Sequence, residues 1–205
     1  VVYHEPIWWN NIHLEYGGWY VNLWGSLGME KKRETFGDEL DFTVGKKFSV
    51  AGCDIDLSSS YFVISEFGNE ANDLYIFDGK VDFPKKIPWV TPWITTRYFG
   101  RIGEKSAGGS GGWFFWVGVQ RAQPLGFHLP FQKDIFTINL DGAAAFSAGG
   151  AFHGEAGPVY AQIKASTKLT VSDSIFVKPW VTWQIPIQEE GHYVDGKQHV
   201  VYGVS

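Results

Sequence analysis

Apolar residues recur at every second position along most of this chain, with turn-forming residues between the runs, the pattern of half-exposed β-strands. Ile12, Leu14, Tyr16, Val21 and Leu23 take one face, while His13, Glu15 and Asn22 take the other. Gly17-Gly18 between them suits a tight hairpin. Leu40, Phe42 and Val44 then alternate against Glu39, Asp41 and Thr43, and Ala51-Gly52 turns the chain. After it, Ile55, Leu57, Tyr61 and Val63 oppose Asp54, Asp56, Ser58 and Ser60. Tyr75, Phe77, Gly79 and Val81 oppose Asp78, Lys80 and Asp82, and a connection through Pro84 to Pro88 leads to Ile94 and Tyr98 against Thr95 and Arg97. The same alternation returns around Val117, Ile138, Ile163 and Val181, and a last strand is predicted from His199 to Val204. No helical stripe competes with it. The reading predicts about eleven strands of roughly 8 to 12 residues, long enough to cross a bilayer when tilted.

The connections alternate too. Those after Tyr16, Phe48, Phe83 and Leu169 read as short; Met29 to Asp38, Glu66 to Asn72, Gly100 to Gly112, Ala148 to Gly157 and Gln188 to Lys197 read as long and polar. Arg121 to Asp134 is expected to be a connection and is the one place where a long stretch stands where a short one belongs. With the long connections on one side, an even barrel needs a further N-terminal strand, of which Val1 to His4 would be a remnant.

Composition sharpens the class. Aromatics make up 17% and hydrophobics 44% of 205 residues, enough apolar surface for an ordered fold. The single Cys excludes an internal disulfide and a paired-Cys metal site. A net charge of -5 offers no basic footprint for nucleic acid. No apolar stretch reaches the roughly 20 residues of a spanning helix. No export signal is visible, so one is expected to have been removed or to lie outside this sequence.

Alternation does not by itself decide which face is buried. In a soluble barrel the minor face meets water and should be rich in Lys and Glu. Here that face holds Ser, Thr, Asn, Gln, Asp and Trp, the composition of a semi-enclosed polar lumen, while Glu30, Glu34, Glu66, Glu70, Glu104, Glu155, Glu189 and Glu190 fall in the long loops. Trp8, Trp9, Trp19, Phe48, Tyr61, Phe83, Trp89, Tyr98, Phe99, Trp113 and Phe115 collect near strand ends, as in the interfacial girdles of outer-membrane barrels. Filling of a sandwich core is the competing account of these rings.

The segments "HLEYGGWYVNLWGS" (His13 to Ser26) and "ELDFTVGKKFSVAGCDIDLSSSYFVI" (Glu39 to Ile64) resemble the opening hairpins of a group of Gram-negative outer-membrane β-barrel proteins of mostly uncharacterised function. "GVQRAQPL" (Gly118 to Leu125) and "LTVSDSIFVKPWVTWQIPI" (Leu169 to Ile187) resemble its later strands. The resemblance implies a membrane-embedded barrel with a polar lumen and supplies no catalytic residues. Such barrels usually end in an aromatic residue, whereas this chain stops at Gly203-Val204-Ser205, so both terminal strands are expected to be incomplete.

The expected fold is therefore all-β: an antiparallel transmembrane β-barrel of about twelve strands, formed by residues 1–205 as one domain in the bacterial outer membrane. Its expected lumen-facing residues are Glu15, Asn22, Trp24, Asp41, Asp54, Asp56, Asp78, Lys80, Trp93, Arg97, Trp116, Gln120, Asn139, Asp141, Gln162, Lys164 and Trp180. Their charges form ladders that either pair across strands or line a conduit, and the four Trp either close the lumen or stack on sugars and aromatics.

Catalysis finds no support. His4, His128, His153 and His192 fall in turns or near ends, and Gly25-Ser26-Leu27-Gly28 lacks a nucleophile elbow. No catalytic, cofactor-binding or metal set assembles, and Cys53 reads as an inert thiol on the apolar face. The mixed run Glu30-Lys31-Lys32-Arg33-Glu34 reads as a solvated loop that could meet lipopolysaccharide phosphates, and Gly108-Gly109-Ser110-Gly111-Gly112 as a flexible one.

The expected function is a porin-like small-solute channel or a structural membrane component. Its partners would be the lipid bilayer with lipopolysaccharide, a small polar solute and membrane-complex subunits. Two alternatives stay open. One is a plugged barrel serving as a subunit of an outer-membrane assembly. The other is a soluble jelly-roll glycoside hydrolase, for which Glu15 and Glu39 are the strand glutamates and would have to face each other roughly 5 to 9 Å apart.

Overall fold

A computed structural model of the chain describes residues 7–28, 39–63, 73–101, 111–129, 135–149, 156–172, 175–187 and 198–204. They form thirteen strands: β1 (Ile7–Tyr16), β2 (Trp19–Gly28), β3 (Glu39–Val50), β4 (Cys53–Val63), β5 (Leu74–Asp82), β6 (Thr91–Arg101), β7 (Gly112–His128), β8 (Ile135–Ser147), β9 (Gly157–Thr167), β10 (Leu169–Ser172), β11 (Ile175–Val177), β12 (Pro179–Pro186) and β13 (His199–Val204). The architecture is all-β and antiparallel, with no helix among the described residues. Eleven strands make one sheet in simple meander order, β1 through β9 followed by β12 and β13. β10 and β11 form a separate two-stranded hairpin. The two edges of the large sheet, β1 and β13, do not pair, so the sheet is open.

The turn chemistry sets the hairpins. Gly17 and Gly18 both take positive φ, 57° and 79°, as the tight turn between β1 and β2 requires. Ala51 and Gly52 do the same between β3 and β4 at 51° and 78°. These turns lie at one end of the sheet, which we call the turn end; the connection between β5 and β6, which carries the short bridge from Ile87 to Val90, lies there as well.

The expected connection from Arg121 to Asp134 is largely strand. β7 continues through Arg121 and Pro124 to His128, pairing Pro124 with Thr137 and then, after a register shift, His128 with Ile135. Pro124 and Gly126 read as turn signals, yet a Pro is tolerated where the ladder is irregular. This removes the exception to the short-long alternation. The expected short connection after Leu169 is also modified, since the chain folds back there as the hairpin of β10 and β11. Much of the long connections, and the stretches Val1 to His4, Glu30 to Glu34 and residues 108–110, lie outside the described residues.

The register is staggered in one direction. A cross-strand row that starts at Glu15, beside the Gly17-Gly18 turn, passes through Tyr20, Gly45, Ser58, Asp78, Arg97 and Phe114 and reaches β8 at Ser147, its last residue at the opposite end. Strands tilted relative to a common axis produce such a climb.

The two faces differ sharply. One row of the apolar face reads Phe48, Ile55, Val81, Ile94, Val117, Ala144, Ala161 and Ile185 across eight strands. Many apolar residues of this face are exposed, among them Leu14, Val21, Phe42, Val44, Phe77, Ile94, Val117, Ile163 and Trp183. The buried apolar residues sit on the other face, where Leu74, Ile76, Phe99, Phe114 and Val159 cluster with Phe62, Trp116 and Tyr160 packed against them. Val159 reaches this face through a β-bulge: Ala145 pairs with Tyr160 and Phe146 with Pro158, which leaves Val159 unpaired between them.

A braced polar face as candidate functional site

Every residue expected to face a lumen falls on one face of the large sheet. The register rows contain them all: Trp24 with Asp41; Asp56 with Lys80 and Trp116; Asp54 with Trp93 and Gln162; Gln120 with Asp141 and Lys164; and Asn139 with Trp180. Asn22 occupies the row of Thr43, and Glu15, Asp78 and Arg97 occupy the staggered row traced above.

Long side chains on this face bridge strands that are not neighbours. Next-nearest strands lie about 9.5 Å apart, so a bridge must lie flat across the strand between them, and that strand must be small at the crossing. Tyr20 on β2 donates to Asp56 Oδ1 on β4 at 2.8 Å. It crosses β3 at Gly45, where an added Cβ would collide with the Tyr20 ring. Trp93 Nε1 on β6 donates to Asp141 Oδ2 on β8 at 2.9 Å. It crosses β7 at Gly118, where a Cβ would lie 2.6 Å from the indole. Trp116 Nε1 on β7 donates to the Tyr160 hydroxyl on β9 at 2.9 Å. Beneath that bridge the register places Ala145, whose exposure is 0%. A fourth bridge runs from Gln120 Nε2 on β7 to Asp82 Oδ1 on β5 at 2.8 Å.

Arg97, Lys80, Lys164 and Lys47 on this face are paired with carboxylates or stacked on rings. Arg97 grips Asp78 with Nε at 2.6 Å and Nη2 at 2.9 Å, the two-point geometry that a guanidinium allows. Its guanidinium also lies 5.8 Å from the Trp116 ring centroid. Lys80 pairs with Asp82 at 2.9 Å and sits 5.6 Å over Trp93, while Lys164 sits 5.4 Å over Trp180. At the turn end, Lys47 holds Glu15 at 2.8 Å, and His13 lies 3.2 Å from the same carboxylate. The four expected lumen Trp are placed differently: Trp93 and Trp116 brace the wall, Trp180 supports a lysine, and Trp24 lines a cavity with Asp41 and Arg97.

Among the described residues, two cavities open on this face. The larger, about 700 Å³, lies toward the turn end of β5 to β9 and is lined by Lys80, Trp93, Gln120, Asn139, Asp141, Gln162 and Lys164 among others. The smaller, about 360 Å³, is lined by Asn22, Trp24, Glu39, Asp41, Asp78 and Arg97 among others. The apolar cluster of Ile76, Phe99 and Phe114 occupies the end of the face away from the turns.

Sequence reasoning missed this cluster, although the signal was present. On β4 the polar parity runs Asp54, Asp56, Ser58, Ser60 and then Phe62, and on β5 Leu74 and Ile76 share the parity of Asp78 and Lys80. The face therefore turns apolar toward one end. Phe99, expected in an aromatic girdle, belongs to this cluster instead and meets Phe114 edge to face at 5.9 Å. Its register with Ile76 and Asn22 fixes it on that side. Tyr98, Trp113 and Phe115 do share the apolar face: Tyr98 and Trp113 have centroids 5.1 Å apart, and Trp113 and Phe115 stack at 6.3 Å. The side chains of Trp8 and Trp9, and the histidines His4, His153 and His192, lie outside what is described.

Glu15 and Glu39 cannot act together. Glu15 aligns through Tyr20 with Gly45, six residues along β3 from Glu39, a separation of roughly 20 Å at strand rise. That exceeds the spacing a glycosidase pair needs. No group of three or more His, Cys, Asp or Glu gathers as a metal site among the described residues. Comparison with known proteins found no matching family model, curated protein or solved structure.

Proposed function

We propose that the chain is a membrane-spanning β-barrel of the bacterial outer membrane, with its apolar face against lipid and its braced polar face lining a lumen that passes small polar solutes. The observation that carries this reading is the inversion of the sheet. Val21, Phe42, Val44, Phe77, Ile94, Val117 and Ile163 are exposed on one face, while the hydrogen-bonded carboxylates, amides and guanidinium are crowded on the other. In water the first arrangement leaves a large apolar surface uncovered; in a bilayer it is the favourable one.

Further support comes from the stagger and from the rings. Trp19, Phe48 and Trp89 lie at the turn end, and Tyr61, Tyr75, Tyr98 and Trp113 toward the other end, spaced as two interfacial belts. β1 and β13 run in the same direction at the two edges of the sheet. One further strand antiparallel to both would close the wall and bring the count to twelve. The lipid bilayer and lipopolysaccharide are then the obligatory surroundings.

A second reading is favoured by the apolar cluster around Ile76, 1% exposed. A lumen closed there makes the protein a plugged structural subunit of a membrane assembly. Two experiments separate these readings. Folded protein that floats with lipid vesicles and needs detergent to stay monodisperse supports the membrane assignment; protein that stays monodisperse in plain buffer overturns it. Discrete conductance steps in planar bilayers support a passage, and their absence from inserted protein supports the plugged subunit.

A further inference from the structure

We infer that the larger cavity is a binding site for small hydroxylated anions, the class of phosphorylated or carboxylated sugars. The inference rests on the proposed barrel only in calling this cavity a compartment of the lumen; the site itself is built by residues of β5 to β9. Its charge is the first ground. Lys80, Lys85, Arg121 and Lys164 line it against one lining carboxylate, Asp141, with Asp82 paired to Lys80. The smaller cavity has the opposite balance, with Glu39, Asp41 and Asp78 against Arg97. The cationic character is therefore local, set into a chain of net charge -5.

The state of the lysines is the second ground. Lys80 is neutralised by Asp82 at 2.9 Å. Lys164 stands opposite Asp141 in register, yet makes no salt bridge among the described residues, and its ammonium rests over the Trp180 indole. Asp141 accepts the Trp93 indole N–H and attracts Lys164 without contact. Lys164 is thus a cation held in place by a ring and open to an incoming anion.

The rest of the wall specifies hydroxyls. Gln120, Asn139, Gln162 and Ser166 line the cavity and can both donate and accept hydrogen bonds. Trp93 lines the cavity beside them, its ring 5.6 Å from the Lys80 ammonium. A volume of about 700 Å³ admits a monosaccharide or disaccharide with room for water.

The experiment is calorimetric titration of the full chain, folded in detergent, with glucose 6-phosphate, glucuronate, glucose and inorganic phosphate. Either anionic sugar binding at least about tenfold more tightly than glucose, with affinity falling as salt rises, supports the site. The preference between phosphate and carboxylate identifies the anion. Equal binding of glucose and both anionic sugars overturns the inference, and inorganic phosphate binding as tightly as glucose 6-phosphate overturns its hydroxyl half. Lys164→Gln should remove the anion preference and Lys164→Arg should restore it. Unchanged preference in Lys164→Gln overturns the role of Lys164, and the salt dependence of the unaltered chain provides the test should that variant not fold. The titration needs no bilayer, so its failure is distinct from a failure of vesicle flotation, and protein that proves soluble is titrated in plain buffer.

Discussion

Val117→Lys separates a lipid-facing wall from a water-facing one. Val117 lies on β7, is 43% exposed, and is flanked in register by Ile94 and Ala144. Beyond them the row continues with Val81 and Ala161, so no acceptor is at hand for an ammonium. If the face meets water, lysine at an already exposed position changes stability by no more than about 0.5 to 1 kcal/mol, the range of surface substitutions and strand propensity. If it meets lipid, depth decides. Val117 is five residues from Gly112, the start of β7. That is roughly 17 Å along the strand, or about 12 Å of depth at a tilt near 45°. This exceeds the reach of a lysine stem to the near interface, so a cost of about 2 to 4 kcal/mol is expected. The folding equilibrium then falls roughly 30- to 700-fold. The assay is guanidinium unfolding of vesicle-inserted protein followed by Trp fluorescence, with Gln162→Lys on the polar face as the control expected to cost little. A shift below about 0.5 kcal/mol for Val117→Lys, or equal shifts for the two variants, refutes the assignment of this face to lipid.

Three further predictions concern the bridges and the cluster. Gly45→Ala should lower the free energy of denaturant unfolding by about 1 to 3 kcal/mol, because its methyl collides with Tyr20 and breaks the bond to Asp56; Gly142→Ala, where a Cβ meets nothing within 4 Å, should be near neutral. Trp93→Phe keeps an aromatic ring, though a smaller one, and removes the donor to Asp141, so denaturant unfolding should show a loss of about 1.5 to 3 kcal/mol, whereas Asp141→Asn, which keeps an acceptor, should lose less. Ile76→Ala should cost about 2 to 5 kcal/mol by the same measurement, and in planar bilayers the variant should conduct more than the unaltered protein if the cluster constricts the lumen.

Much of the fold was legible because strand parity is a local property. Asp54, Asp56, Ser58 and Ser60 share a face wherever that strand pairs, so alternation placed the expected lumen residues together without knowledge of any partner. The same logic failed where local signals conflicted with pairing. Pro124 and Gly126 punctuate a segment that β8 nevertheless holds as strand. Val159 breaks parity through a bulge, which exists only because β8 lies opposite. Phe99 has the parity of Arg97, yet a ring near a strand end reads equally well as belt or as core.

The sequence alone determined two unlike faces and the hairpins at the short turns, since both follow from period two and from turns short enough to force neighbours together. It could not determine which side chains meet across a strand. The bonds from Tyr20 to Asp56, Trp93 to Asp141 and Trp116 to Tyr160 join residues 36, 48 and 44 apart. Each depends on the register of three strands at once and on a Gly or Ala lying under the crossing. The tertiary structure decided those meetings, and with them where the polar face is braced, where it is apolar and where it opens into a cationic cavity, because register is a relation between strands that no single strand carries.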